Sequence, residues 1–396
     1  MTPVTIERLN HKGEGVALNT PPIPRVLPGE EVWPDGRVIK PSSERVAPPC
    51  RHFKSCGGCA VQHANDDFVA RWKADVVRQG LAARGLQPPV HDTLTSPPRS
   101  RRRATLHGRR TKKGALIGFH GRASDTLVEI PDCQILLPEI LAALDLFQTL
   151  TIRYGSRKGE VSFAVAVSDG GLDVDVRNAK AVEPNDLPDL GELIAQYNLA
   201  RLAWDGEVVA TRTPRYSIGL AQVAPPPGAF LQATQHGETT LQNLVLKIVG
   251  DAKQVLDLFS GCGTFSLPLA QTAEVWALEG DAALIDSLDK AWRTTAGLRR
   301  VTAETRDLFR RPVLTDEFRK ADAVVIDPPR AGAEAQTREL AASNVPRIAA
   351  VSCNPITFAR DAAILVNGGY SLDWVQPVDQ FRWSSHVELA AQFSRT

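Results

Sequence analysis

"VLDLFSGCGTFSLPLA", residues 255–270, reads as an apolar strand, a glycine loop and a helix in succession. Gly261 and Gly263 let the backbone turn sharply and approach a ligand closely. Asp257 stands at the strand end, where a carboxylate can hold a cationic or hydroxyl-bearing group. The spacing is not Gly-x-Gly-x-x-Gly, so a pyrophosphate cradle is not favoured. A Gly-x-Gly loop with an acid at the next strand end suits S-adenosylmethionine instead. That acid is Glu279 in "VWALEG", expected to accept from both ribose hydroxyls. Asp307 in "TRDLF" follows the third strand and is expected near the adenine. Phe259, inside the loop, is counted with these donor contacts.

Outward from that motif, "QVLDLF", "EVWALEG", "AVVIDPP" and "RIAAVSCNP" are short apolar strands ending in polar or Gly/Pro residues. Helical stretches such as "GETTLQNLVLKIV" alternate with them. This alternation predicts an α/β, doubly wound, Rossmann-like sheet over residues 226–396, with ligands at the carboxyl ends of the strands. "APPPGAF" (224–230) is a stiff connector before it. Residues 47–225 form a central, mainly antiparallel β (α+β) domain; in "VSFAVAVSDGGLDVDV", Val161, Phe163, Val165 and Val167 alternate before a turn, and Leu172, Val174 and Val176 return. Within it, "DDFVARWKADVVRQGLAARGL" (66–86) has helical spacing. Residues 1–46 read as short strands broken by turns, a small β-barrel-like (TRAM/OB-like) unit.

A chain of 396 residues that is 43% hydrophobic is long enough for two or three cores. It contains no apolar run of membrane-spanning length and no apolar leader at its start, so a cytoplasmic location is expected and a membrane partner is not. A net charge of +1 names no partner. The block "RSRRRATLHGRRTKK" (99–113), without an acid, is a candidate contact for a polyanion.

The fourth strand ends in "IDPPRAG" (326–332), where two prolines turn the chain out of the sheet without spare N–H groups. The fifth ends in "VSCNP", placing Cys353 on the same rim as the glycine loop. A lone cysteine is more often a buried hydrophobe than a nucleophile. A place at a strand's carboxyl end, beside a methyl-donor loop, reverses that expectation. "DLFSGCGTFSLPLA", "DPPRAG", "VSCNPITFARD" and "FRWSSHVELAAQF" together resemble the RNA uracil-C5 methyltransferases. "CRHFKSCGGCAVQH" (50–63) resembles their iron–sulfur-containing 23S ribosomal RNA branch. The first 49 residues are short for the family's amino-terminal barrel.

The resemblance implies roles residue by residue. Cys353 matches the nucleophile that adds to uracil C6, and Glu388 matches the general base. Gln232 in "FLQATQ" matches a donor-binding glutamine. Asp327, grouped with the donor contacts, is expected at the uracil edge; Arg330 shares its motif, and His386 is a candidate to orient Glu388. Phe259, Phe265 and Phe381 are candidates to stack on an unstacked base.

Cys50, Cys56 and Cys59, with Cys133 as a distant fourth, could hold zinc or an iron–sulfur cluster. Their spacing does not choose, and the resemblance implies [4Fe–4S]. The function implied is methyl transfer from S-adenosylmethionine to C5 of a uridine in 23S ribosomal RNA. Transfer RNA is the alternative substrate, and a noncatalytic iron–sulfur RNA-binding protein is the alternative of another class. RNA is the only partner implied.

Overall fold

The structure, a computed structural model, describes residues 2–395. Its C-terminal sheet has eight strands, in the order Val301–Thr305, Glu274–Glu279, Gln254–Leu258, Ala323–Ile326, Arg347–Ser352, Glu388–Ser394, Ser371–Asp379 and Leu94–Thr95. The first five run parallel. Their central members are buried along nearly their whole length because helices cover both faces, which is why they read as continuous apolar runs. Two core clusters lie on opposite sides, one around Leu241, Val255 and Leu288, the other around Leu258, Leu340 and Phe358. Helix starts follow the capping residues: Thr234 accepts from the Gly237 N–H, and Asn354 accepts from the Ile356 N–H with Pro355 in the first turn.

Glu388–Ser394 departs from the parallel run. It lies antiparallel between Arg347–Ser352 and Ser371–Asp379, with Ser352 opposite Leu389. The chain therefore enters this strand at the rim where the parallel strands end.

The central sheet has seven strands, antiparallel throughout except where Gly171–Arg177 runs parallel to Leu199–Trp204. Its core holds Leu106, Phe147, Phe163, Val174 and Leu202. Before it, residues 4–40 form two three-stranded sheets closed around Ile6, Val26 and Val32.

Two features differ from the sequence reading. The segment 66–95, grouped there with the central unit (47–225), packs on the C-terminal sheet. Its helix Asp66–Ala82 buries Val77 and Leu81 in the core with Leu258 and Phe358, and Leu94–Thr95 pairs with the end of Ser371–Asp379. The basic block is also not one exposed face. Arg102 is buried and ion-paired to Glu238 at 2.5 Å, and its Nε donates to the Gln232 carbonyl at 3.1 Å. It ties the central sheet to the helix Gln235–Val249, so it is unavailable to a phosphate.

Candidate active site

Functional side chains follow the strand ends in spatial order. Asp307 lies just beyond Val301–Thr305, Glu279 ends Glu274–Glu279, and the loop 259–263 follows Gln254–Leu258. Asp327 follows Ala323–Ile326, and Cys353 follows Arg347–Ser352. Ser352 faces Leu389 across the antiparallel pair, so the next residue outward from each, Cys353 and Glu388, comes to the same rim, and both line one pocket. Sheet register thus closes a gap of 35 residues (388 − 353) that no sequence periodicity spans.

The donor end has the features of an open cradle. Phe259 and Gly261 take φ of 64° and 56°. A Cβ built at Gly261 would meet nothing within 4 Å, so this loop faces open space. Glu279 accepts from the N–H groups of Gly261 (3.1 Å) and Asp281 (3.0 Å), one to each oxygen, which fixes the carboxylate beside the loop. Asp257 is fully buried; its Oδ2 accepts from Ser266 Oγ at 2.5 Å, whereas its Oδ1 has no partner. Burial pushes its pKa up to about 7 against the Ser266 hydrogen bonds. Ser260 Oγ, also buried, is likewise unpartnered. Orphaned polar atoms around an open glycine turn fit a polar ligand with both donors and acceptors. Asp307 accepts from the N–H groups of Phe309 and Arg310, and Phe309, half exposed, packs its ring 5.4 Å from that of Phe259.

Beside the cradle, a pocket of about 610 Å³ contains Cys353, Glu388, Arg330, His386, Phe381 and Arg103. Glu388 is buried, and burial lifts its pKa to about 7 although Gln380 donates to it and Arg103 and Arg330 lie near. Burial pushes the Cys353 thiol up to about 11; Glu388 and Asp327 add to this and Arg330 opposes it. Asp327 is raised well above the carboxylate range, by burial first and then by the charges of Glu388 and Asp257.

His386 does not contact Glu388 as the sequence suggested. Its Nδ1 lies 2.5 Å from Arg330 Nη2, and its ring meets Phe381 edge-on at 5.7 Å. Burial, then Arg330, lowers its pKa to about 4, so it accepts from the guanidinium as a neutral ring. Phe265 sits in the hydrophobic core, away from any base-stacking role, while Phe381 lines the pocket under the Arg101 guanidinium at 5.6 Å. Arg103 stacks over Phe230 at 4.1 Å. Gln380 and Lys73 carry no sequence signal. Lys73 is 1% exposed, pairs with Asp379 at 2.6 Å and donates to the carbonyls of His386 and Phe381, pinning the loop that leads to Glu388.

Next to this pocket, Cys50, Cys56, Cys59 and Cys133 line a second cavity of about 280 Å³. Gly58, Arg101 and Arg103 border both hollows. Burial raises the thiols of Cys56, Cys133 and Cys59, the last to about 12, and the sulfur atoms raise one another further. The N–H groups of Ile135 and Leu136 point to Cys133, and that of Gly58 to Cys56 at 3.4 Å. Four thiols that cannot ionise together without a cation, with N–H donors aimed at them, suit a metal group. Sulfurs on one tetrahedral zinc ion stand about 3.8 Å apart. Among the described residues, the only group of three or more ligating side chains with atoms all within 4.8 Å is His107, His120 and Glu160. The cysteines therefore ring a hollow instead of converging on a point. The histidine cluster is closed differently: Arg109 takes one Glu160 oxygen and His120 the other.

The fold and these two hollows define a class I methyltransferase built to meet an RNA base. A family model described as tRNA (Uracil-5-)-methyltransferase matches residues 225–396. An RNA methyltransferase of Rhizobium meliloti is 43% identical, over 99% of this chain and 99% of its own. The 23S rRNA (uracil(1939)-C(5))-methyltransferase RlmD of Halomonas elongata is 32% identical, over 97% of this chain and 88% of its own. In fold, the chain is similar to the Pyrococcus abyssi tRNA (uracil-54, C5)-methyltransferase, solved with S-adenosyl-L-homocysteine, at a TM-score of 0.76 and 23% identity over 99% of both chains. The chain belongs to the family of S-adenosylmethionine-dependent RNA uracil-C5 methyltransferases. No described helix is long and apolar enough to cross a membrane.

Proposed function

We propose that this enzyme methylates C5 of a uridine in 23S ribosomal RNA, through a covalent bond between Cys353 and uracil C6. The observation that carries the reading is the register, Ser352 opposite Leu389, that brings Cys353 and Glu388 to one rim and one pocket. The ribosomal target is supported by the full-length likeness to RlmD together with the four-thiol cavity. Gln232, Asp257, Phe259, Gly261, Glu279, Asp307 and Asp327 hold S-adenosylmethionine, which supplies the methyl group.

Uracil C5 is a poor nucleophile. The Cys353 thiolate, its proton lost to solvent and its charge favoured by Arg330, adds to C6 and moves the ring electrons toward C5. C5 then takes up the methyl group as the donor's sulfur–methyl bond breaks and its sulfonium becomes a neutral thioether. The Glu388 carboxylate removes the C5 proton, the C5–C6 double bond re-forms, and the C6–S bond breaks to return the thiolate. A sulfur both nucleophilic and able to leave is what this sequence of steps requires. A carboxyl poised at about 7 is half ionised at neutral pH, suited to accept that proton. Burial and the neighbouring carboxylates favour the neutral form of Asp327, the form that can donate to a uracil carbonyl.

Cys50, Cys56, Cys59 and Cys133 hold a [4Fe–4S] cluster in this reading. Methyl transfer involves no net electron transfer, so the cluster has a structural and RNA-positioning place in the wall of the pocket. RNA containing 5-fluorouridine tests the mechanism, because fluorine at C5 cannot be abstracted. A denaturation-stable protein–RNA adduct is expected from the native enzyme, and none from Cys353→Ala. Absence of the adduct with active enzyme would overturn the covalent route. Mapping 5-methyluridine in RNA from a deletion strain decides between ribosomal and transfer RNA.

A further inference from the structure

Gln380 lies two residues beyond a ladder pair, Val378 opposite Glu388 being separated from it only by Asp379. Its side chain is 2% exposed and makes three contacts. The Ala233 N–H donates to Gln380 Oε1 at 2.7 Å. A backbone donor in that place fixes which end of the amide is oxygen, and so aims the NH₂ the other way. One of its hydrogens goes to Gln232 Oε1 at 2.5 Å; the register, with Val378 opposite Glu388, leaves the other on the side of the Glu388 carboxylate, whose charged form it favours. The site is closed around the amide: a Cβ at Gly237 would lie 2.7 Å from Gln380 Cβ and 3.0 Å from Gln380 Oε1. No rotation relieves the arrangement without leaving a buried donor or acceptor unpaired.

We propose that Gln380 is the positioning residue for the catalytic base, holding the Glu388 carboxylate toward the pyrimidine and keeping it ionisable, and that it also fixes the amide of Gln232 on the donor side. This rests on the reading of Glu388 as the base. The charged and titratable groups that face Glu388 are Arg103 from the central sheet, Asp327 and Arg330 from the turn after Ala323–Ile326, and Cys353 from the neighbouring strand. Two are cations that lower its pKa. Burial and its acidic neighbours shift Asp327 toward its neutral form, and Cys353 is a thioether once the adduct has formed. The hydrogen bond from Gln380 therefore opposes burial directly, and its loss raises the pKa of the base.

The test is the decay of the covalent RNA adduct, followed by rapid quench across pH, in the holoenzyme carrying Gln380→Leu. In that step Cys353 no longer titrates, so the profile belongs to the base. The acid limb is expected to move up by about one pH unit, with adduct decay slowed about fivefold at neutral pH and restored toward the native rate above pH 9. Adduct formation should change little. A native pH profile, or a loss equal at every pH, overturns the proposal. Should the Leu variant fail to fold, Gln380→Met removes the same donor with an unbranched chain and is read in the same way. Glu388→Gln, run in parallel, keeps the two claims apart: if it still resolves the adduct, the base is misassigned whatever Gln380 does.

Discussion

Five cysteines line two neighbouring hollows, and what surrounds each sulfur separates their chemistry. Around Cys50, Cys56, Cys59 and Cys133 the dominant neighbours are other sulfurs and backbone N–H groups. Around Cys353 they are two carboxyl groups and a guanidinium. Burial raises the thiol in both settings. In the first, only a shared cation lets the thiolates coexist. In the second, the proposed mechanism has a single thiolate form beside Arg330, attack and depart, and gives the later proton to the carboxyl that discourages that thiolate at rest. The sixth cysteine, Cys262, shows the third outcome: fully buried in the hydrophobic core, its thiol is pushed to about 12.

The sharpest way to break this comparison is a pair of substitutions. Cys353→Ser is expected to lower methyl transfer by at least about a thousandfold while leaving iron content and melting temperature as they are. Cys56→Ser should do the reverse, losing iron and lowering the melting temperature. If the two variants behave alike in methyl incorporation and in iron assay, the division between the hollows is wrong.

A second prediction probes the wall they share. The N–H groups of Ala60 and Val61 donate to the Trp383 carbonyl, joining the cysteine loop to the catalytic loop, and Lys73 holds the latter from below. Lys73→Met leaves the Asp379 carboxylate buried without its cation. The expected cost is about 3–5 kcal/mol of unfolding free energy, measured by urea denaturation. A loss under about 1 kcal/mol would mean that this pair does not hold the wall together.

The smallest effect concerns acidity in the catalytic hollow alone. In the proposed mechanism Glu388 acts as a carboxylate, so adduct resolution should rise with pH through about 7 and level off above it. From pH 6 to pH 8 the gain is about tenfold. A flat profile across that range in rapid-quench measurements would remove Glu388 from the proton-abstraction step.

The placement of Asp257, Glu279, Asp307 and Asp327 on one rim was legible in sequence because each lies at or just beyond the end of a strand within a local motif, as Gln232 does not. Cys353 was legible for the same reason. Glu388 was legible only through resemblance: its place beside Cys353 depends on the insertion of Glu388–Ser394 between Arg347–Ser352 and Ser371–Asp379, which leaves no periodic trace. Gln380 was not legible, since its partners at 232 and 233 come from a distant loop. Arg102 misled because a run of like charges looks solvated until its counter-charge, Glu238, is placed 136 residues away. The segment 66–95 misled because sequence proximity to the central sheet says nothing about which apolar face Val77 and Leu81 will meet.

The strand Leu94–Thr95 is only two residues long, yet it caps the outermost member of the C-terminal sheet. Its backbone amides occupy groups that would otherwise stand ready to join a strand from another molecule. An excised half beginning at residue 226 would keep the glycine loop, the Asp327 turn, the Cys353 turn and the Glu388 segment and lose this seal, along with the helix that carries Lys73. The methyltransferase half of the chain is therefore not a self-sufficient module. It is finished by a stretch made more than a hundred residues earlier, so during synthesis that early segment has no partner strand until residues 371–379 have been added.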